Sequence, residues 1–286
     1  MGREENIEIF TDTMNICKNN TIVQTNIKNS ISNQQIILEK DTVPDGSKIK
    51  RFETPAKIII SRKRSLEAAQ AYDSSNKICV MNFASATNPG GGVEKGSRAQ
   101  EECLCRCSTL FPCLKDKTAW ETYYKPHRIM NNPVHNDDII YTPKITVIKT
   151  DTSYPKLMSE NKWYTVDIIS CAAPNLRENP TNTFNDCDGD KQIFLSNEEQ
   201  KNLHSKRDKR IFDVAVQNKV DVLILGAFGC GAFRNNPKVV SKVMISLAKE
   251  YQYAFKVIEF AIYCKPHEDS RNYLEFIHES EKINKI

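Results

Sequence analysis

Seven of the ten glycines in this 286-residue chain fall in two short segments, four at 90, 91, 92 and 96 and three at 226, 229 and 231. Scattered turn glycines would not cluster in this way. Each segment follows a short apolar run without polar alternation, Ile78-Cys79-Val80-Met81 in the first case and Val220 to Leu225 in the second. Such runs suit strands covered on both faces. Helix signals come next: Gln100-Glu101-Glu102 opens one helical pattern, and Asn236 followed by Pro237 is a good N-cap and first helical residue for another. Glycine lets backbone N–H groups turn toward a ligand and lets the ligand approach closely, which suits a phosphate or a sugar. Two such loops far apart in sequence therefore predict two walls of one cleft.

The rest of the chain reads as an α/β layered sheet. Strand-like runs recur at Ile145–Ile148, Val166–Ser170 and Val257–Tyr263, with a long charged helix over Phe194–Asn218 and a last helix near Ser270–Glu279. Tyr123 to Asp138, with Pro126, Pro133 and several asparagines, reads as loop-rich, and Ala172-Ala173-Pro174-Asn175 as a loop facing the cleft. Residues 1–75 read as an accessory, mainly helical region: Ile7–Cys17 has a helical stripe, Ile58-Ile59-Ile60 a possible strand, and Ser65 can cap a helix. The expected division is thus 1–75 and 76–286.

Charge and cysteine content exclude some classes of function. Forty basic against thirty-six acidic residues leave a net charge of +4, too balanced for direct nucleic-acid binding, and the basic run Lys201–Arg210 reads as the solvated face of a helix. No apolar run approaches the roughly 20 residues of a membrane helix, and the first residues lack a secretory apolar core, so no membrane association is expected and the location is cytoplasmic, or nuclear in a eukaryotic host. The ten cysteines are then expected reduced. None forms a Cys-x-x-Cys pair, and the five histidines (127, 135, 204, 267, 278) are dispersed, so neither a metal site nor a cofactor is expected.

Gly90-Gly91-Gly92, seven residues and then Gln100-Glu101-Glu102 resembles the signature of poly(ADP-ribose) glycohydrolases, and Asn82 to Leu110 resembles the microbial type in particular. Gly226 to Asn236 is similar to the diphosphate loop of that family. The resemblance implies a macrodomain-like mixed sheet between helices, with the N-terminal helices as an extension, holding ADP-ribose in a crest cleft. It also implies hydrolysis of ribose–ribose bonds in poly(ADP-ribose). Carried over by position, Glu102 is the catalytic acid and Glu101 its partner that holds ribose hydroxyls. Gly90, Gly91 and Gly92 line the terminal ribose and the adjoining phosphate, and Gly229, Cys230, Gly231, Ala232 and Phe233 wrap the diphosphate with Phe233 packed on ribose, while Asn88, Gln100 and Gly226 complete the substrate-binding set. The substrate is then the polymer or an ADP-ribosylated protein. A hydrolase for single ADP-ribose units and a non-catalytic ADP-ribose reader are the alternatives.

The chemistry makes one demand of its own. Most glycosidases place two carboxylates on opposite sides of the sugar. Adjacent residues at a helix start lie about 100° apart and cannot easily flank a ring. One acid must then serve as acid and afterwards as base. Neighbouring negative charge raises its pKa and the helix N-terminus lowers it, and the first effect must win for use near pH 7.

Overall fold

A computed structural model describes residues 2–283. Its centre is a seven-stranded sheet. The strands, in chain order, are β1 (Gln35–Ile37), β2 (Lys57–Ser61), β3 (Ile78–Phe83), β4 (Ile139–Val147), β5 (Tyr164–Cys171), β6 (Val222–Leu225) and β7 (Val257–Ala261). They lie side by side in the order β1-β4-β5-β3-β6-β7-β2. β5, β3, β6, β7 and β2 run parallel, while β4 is antiparallel to both β1 and β5. The loops after all five parallel strands therefore emerge along one edge, the crest on which open α/β sheets place their ligands.

The helices are α1 (Arg3–Asn19), α2 (Thr21–Ser32), α3 (Ser65–Gln70), α4 (Gln100–Cys107), α5 (Leu110–Leu114), α6 (Lys117–Ala119), α7 (Lys125–Met130), α8 (Asn197–Gln217), α9 (Pro237–Glu250) and α10 (Arg271–Ile283). They cover both faces of the sheet. Because side chains alternate along a strand, Cys79 and Met81 of β3 join Phe212 of α8, Met244 of α9 and Phe276 of α10 in one core, while Ile78 and Val80 join Leu66, Leu104 and Phe111 in the other. This is the mixed sheet between helices that the resemblance implied. Asn236 caps α9 as expected, its side chain accepting from the Lys238 N–H at 3.1 Å, with Pro237 in the first turn.

Four sequence readings change. Residues 1–75 do start with two helices, but they also supply β1 and β2, the two edge strands of the sheet. Tyr123 to Met130 is helical, continuing from α6 through a wider turn at Trp120–Tyr124; Pro126 is tolerated because it lies in the first turn of α7, and Asn131 ends the helix at φ 45°. Ser65 is the first residue of α3 rather than its cap, and the Leu66 N–H there is met by Asp151 Oδ2 at 3.0 Å. β4 begins six residues before Ile145, disguised by Pro143 and by Lys144 at φ 55°, where the pairing with β5 shifts.

The basic run on α8 is not simply a solvated face. Arg207 is 2% exposed; it pairs with Asp137 at 2.8 Å and donates to the carbonyls of Val134 and Ala172. Lys206 and Lys209 bind Asp137 and Asp213, and Arg210 donates to Leu38 and Asp41 carbonyls. The charges on this stretch clamp loops of the same chain. None of the ten cysteines is bonded to another, and seven are buried.

Candidate active site

Three consecutive side chains at the start of α4 fix the centre of the crest. Gln100 uses its whole amide inside the protein: its oxygen accepts from the Phe83 N–H at 2.9 Å, and its NH2 donates to the Met81 carbonyl at 2.7 Å and to Ser65 Oγ at 3.0 Å. It ties the end of β3 to the starts of α3 and α4. Glu101 turns toward the strand end, where Oε2 accepts from the Ser85 N–H at 2.8 Å and Oε1 from Asn82 Nδ2 at 3.2 Å. Glu102 turns toward the glycine loop. Its Oε1 accepts from the Gly92 N–H at 2.9 Å, while its Oε2, also buried, has no protein partner.

Both carboxyls are almost fully buried, Glu101 at 3% and Glu102 at 6% exposure. Burial pushes Glu101 up to about 8, with the adjacent Glu102 charge adding to the rise and the Ser85, Asn82 and Gly90 donors opposing it. Glu102 is also raised by burial, against the Gly92 N–H and the Arg106 cation. Gly91 is what lets them sit here. Its φ is +59°, and a Cβ at that position would stand 2.6 Å from Glu102 Oε1 and 3.1 Å from Glu101 Oε2.

The opposite wall is the loop after β6. Gly229 has φ +72°, and a Cβ there would meet Asn235 Nδ2 at 2.6 Å and the Ala173 methyl at 2.7 Å. This glycine is demanded by packing inside the protein, not by the space a ligand needs. Asn235 is the loop's internal brace, donating to the carbonyls of Pro174 at 2.7 Å and Gly229 at 3.1 Å and facing His204 at 2.9 Å. Among the described residues, the N–H groups of Gly229, Gly231, Ala232 and Phe233 donate to no protein acceptor. All four residues line the cleft, so they form a concavity of free donors suited to an anion.

A third segment, the loop after β5, closes the end nearest the acids. Its hub is Asp188, fully buried, which contacts His135 Nε2 at 2.7 Å and accepts from the side chains of Asn175 and Asn185. Asn185 in turn accepts from Ser85 Oγ at 2.8 Å, the same residue whose N–H holds Glu101. Phe184 beside it lines the cleft, and α1 braces the glycine loop from behind, with Asn6 Nδ2 donating to the Gly96 carbonyl at 3.0 Å.

The resulting cleft holds about 600 Å³. Of the residues assigned from sequence, Glu101, Glu102, Gln100, Gly91, Gly92, Gly229, Gly231, Ala232 and Phe233 line it. Asn88, Gly90, Gly226 and Cys230 do not. Asn88 bonds Arg128 at 2.9 Å and Asn185 at 3.3 Å, a Cβ on Gly226 would strike the Ala261 carbonyl at 2.9 Å, and Cys230 Sγ lies 3.5 Å from the Phe228 carbonyl. Sequence reasoning missed Ser85, Asn185, Arg177 and Phe184, as well as Arg64, whose guanidinium sits 4.0 Å from the ring centroid of Tyr263. Only the glycine-loop residue Ser85 lay in a stretch already singled out.

Among the described residues no three His, Cys, Asp or Glu side chains group as a metal would need, and no helix is long and apolar enough to cross a membrane.

Comparison with known proteins bears on this geometry. Residues 4–150, just over half of the chain, match the family model "Microbial-type PARG, catalytic domain". The poly(ADP-ribose) glycohydrolase (PARG) structure from Thermomonospora curvata is similar over 96% of this chain and 99% of its own, at 22% identity and a TM-score of 0.81. The PARG of Deinococcus radiodurans in complex with ADP-ribose is similar over 90% of this chain and 98% of its own, at 26% identity and a TM-score of 0.74. The Thermomonospora protein bound to the inhibitor ADP-HPD aligns at 22% identity over the same shares as its first structure, with a TM-score of 0.79. A search of curated proteins gives no match.

Proposed function

Since the chain belongs to the microbial-type poly(ADP-ribose) glycohydrolase family, we propose that it releases ADP-ribose from poly(ADP-ribose) with Glu102 as the acid and then the base. The observation that carries the assignment is the asymmetry of the acid pair. Glu101 spends both oxygens on N–H donors and so is held as an acceptor. Glu102 has one oxygen on Gly92 and one buried oxygen without a partner, in a residue that lines the cleft. A proton kept by this raised pair is therefore best placed on Glu102 Oε2, where it can be given away.

The reaction follows with atoms in balance. Glu102 Oε2–H protonates the leaving ribose 2′-oxygen as the C1″–O bond breaks, leaving an oxocarbenium-like centre on the terminal ribose. The Glu102 carboxylate then takes a proton from water, whose oxygen bonds C1″, and the acid is restored. Glu101, fixed by Ser85 and Asn82, orients the ribose hydroxyls. The free N–H groups of Gly229, Gly231, Ala232 and Phe233 hold the diphosphate. The negative charge so bound beside the ribose offsets the positive charge that develops there. Tyr263, 42% exposed, flanked by Arg64 and lining the cleft, offers an aromatic surface for adenine.

Gln100 holds the frame rather than the ligand, since its amide has no free atom.

The deciding experiment is Glu102→Gln, which keeps shape but cannot hand over a proton. Polymer hydrolysis should fall by at least about 10²-fold, while titration calorimetry with ADP-ribose should show nearly unchanged affinity. Wild-type turnover in this variant would overturn the assignment. A wild-type protein that binds ADP-ribose but releases none from polymer would instead be a reader, and one that acts only on mono-modified targets a single-unit hydrolase.

A further inference from the structure

Some cations of this chain are matched to carboxylates, such as Arg51 to Asp221, Lys115 to Glu94, Arg207 to Asp137 and Lys209 to Asp213. Others, gathered around the acid end of the cleft, are not. Arg177, in the loop after β5, lines the cleft and is partly buried, yet it has no carboxylate ion pair among the described residues. Its Nε donates to Asn175 Oδ1 at 3.0 Å and its Nη2 to the Pro180 carbonyl at 3.2 Å, which fixes the guanidinium 5.3 Å from the Phe233 ring centroid. Arg234, next along from Phe233, is exposed, has φ +59° and makes no side-chain bond or ion pair among the described residues.

Burial holds the Arg177 pKa below its ordinary value; the Asp188 and Glu102 carboxylates oppose this and the Arg234 cation adds to it.

The other side of the same mouth repeats the arrangement. Arg3 of α1 lies 5.1 Å over the Phe184 ring, and Lys95 donates to the Thr183 carbonyl. Neither has a carboxylate partner among the described residues. Phe184 adjoins the acids: its Cβ is 3.2 Å from where a Cβ on Gly92 would stand, and the Gly92 N–H holds Glu102. Single unpaired cations on a surface are ordinary and need no ligand. Here four of them flank the two aromatic residues at the catalytic end, and one, Arg177, is partly buried in the cleft wall with its guanidinium held by Asn175 and the Pro180 carbonyl, an arrangement that is favourable when an anion arrives.

The substrate supplies such an anion. In the polymer, the hydroxyl that leaves on cleavage is the 2′-oxygen of an adenosine whose 5′ carbon carries another diphosphate. ADP-ribose itself, or a single unit on an amino-acid side chain, brings no phosphate to that side of the bond. Resting on the reading of the chain as a polymer hydrolase, we infer that Arg177 and Arg234, with Arg3 and Lys95 across the mouth, form a subsite for the diphosphate of the leaving ADP-ribose unit. The cleft thereby reads two units, gripping the terminal one through backbone N–H groups and the departing one through guanidinium forks.

The test compares Arg177→Gln, Arg234→Gln and the double variant with wild type in two assays. In polymer hydrolysis, kcat/KM should fall about tenfold or more in the double variant, the scale of losing a charge-assisted phosphate contact, mainly through KM, and its dependence on salt should become shallower. In calorimetric titration with ADP-ribose, affinity should stay within about twofold of wild type, which also reports that the variants fold. An equal loss in both assays would mean that the arginines serve the terminal unit's own diphosphate and would overturn the inference. Unchanged kcat/KM in the double variant would overturn it too. A wild-type protein inactive on polymer would remove the functional reading itself, a result distinct from either.

Discussion

Replacing Gly91 by alanine puts one methyl group against both acids, and the structure sets the size of the effect. The methyl carbon would stand 2.6 Å from Glu102 Oε1 and 3.1 Å from Glu101 Oε2, where ordinary contact begins at 3.4 Å. Glu102 must therefore retreat by about 0.8 Å, a displacement of the kind that costs on the order of 10²-fold in rate. The backbone adds a second cost. At φ +59° a non-glycine residue is disfavoured by about 1–2 kcal/mol, which for a domain of this size lowers Tm by about 2–8 °C. The diphosphate loop is untouched, so ADP-ribose should still bind. Gly90→Ala is the matched control: its φ is +72°, but its Cβ would meet Phe111 Cδ2 at 2.6 Å, a ring stacked edge-on with Phe10 in the core. It should lose at least as much stability and less turnover. Release of ADP-ribose from polymer, with thermal unfolding alongside, reads both. If Gly91→Ala turns over within threefold of wild type, on the order of the scatter expected of a neutral change, the acids are not positioned by this glycine and the geometry proposed for Glu102 is wrong.

Two further variants probe the charge balance of the pair. Burial and the adjacent Glu102 charge push Glu101 from 4.5 up to about 8, so the folded pair keeps one shared proton that the unfolded chain has lost between those values, and stability falls as pH rises through that window; Glu101→Gln, which removes the coupling, should flatten this part of a Tm against pH curve, and an unchanged slope would refute it. Arg106 is 1% exposed, donates to the Ser97 carbonyl at 2.6 Å and to Cys103 Sγ at 3.2 Å, and has no ion pair among the described residues. Its charge holds Glu102 down, so Arg106→Met should move the alkaline limb of the polymer pH–rate profile to higher pH, Arg106→Lys less so, and a fixed limb in both would refute the coupling.

What could be read from the sequence is what leaves a local trace. The apolar run at Ile78–Met81, the glycine cluster behind it and the acids at the start of α4 occur within 25 residues, and their order already describes a strand, a loop and a helix N-terminus. Asn236-Pro237 is equally local. The residues that were not legible act across distance. Asn185 reaches Ser85 over 100 positions, Asp188 reaches His135 over 53, and Arg207 reaches Asp137 over 70. Nothing in the periodicity of a polar stretch distinguishes an asparagine that will be buried from one left in water. The basic run on α8 misled for the same reason, because its acceptors lie in loops at Leu38–Asp45 and Val134–Asp137 that the helix pattern does not reveal. Gln100 shows the converse. Its place in the motif was visible, but its amide is consumed by three bonds to the frame.

The opposed effects on the acid pair can now be weighed. A helix N-terminus favours carboxylates by about 0.3–1 kcal/mol when exposed and fades within the first turn, and α4 has only eight residues. Burial acts on both acids at full strength, since each is less than a tenth exposed, and it is the largest influence on each. Desolvation therefore prevails over the dipole. Adjacency, which prevents the pair from flanking a sugar, serves a different division: the roughly 100° between neighbouring helical positions sends Glu101 to the Ser85 and Asn82 donors and Glu102 to Gly92. One carboxyl is thereby saturated with donors and the other left with an open oxygen. The two together retain a proton near neutral pH, and the donor pattern decides which of them can give it to the leaving group.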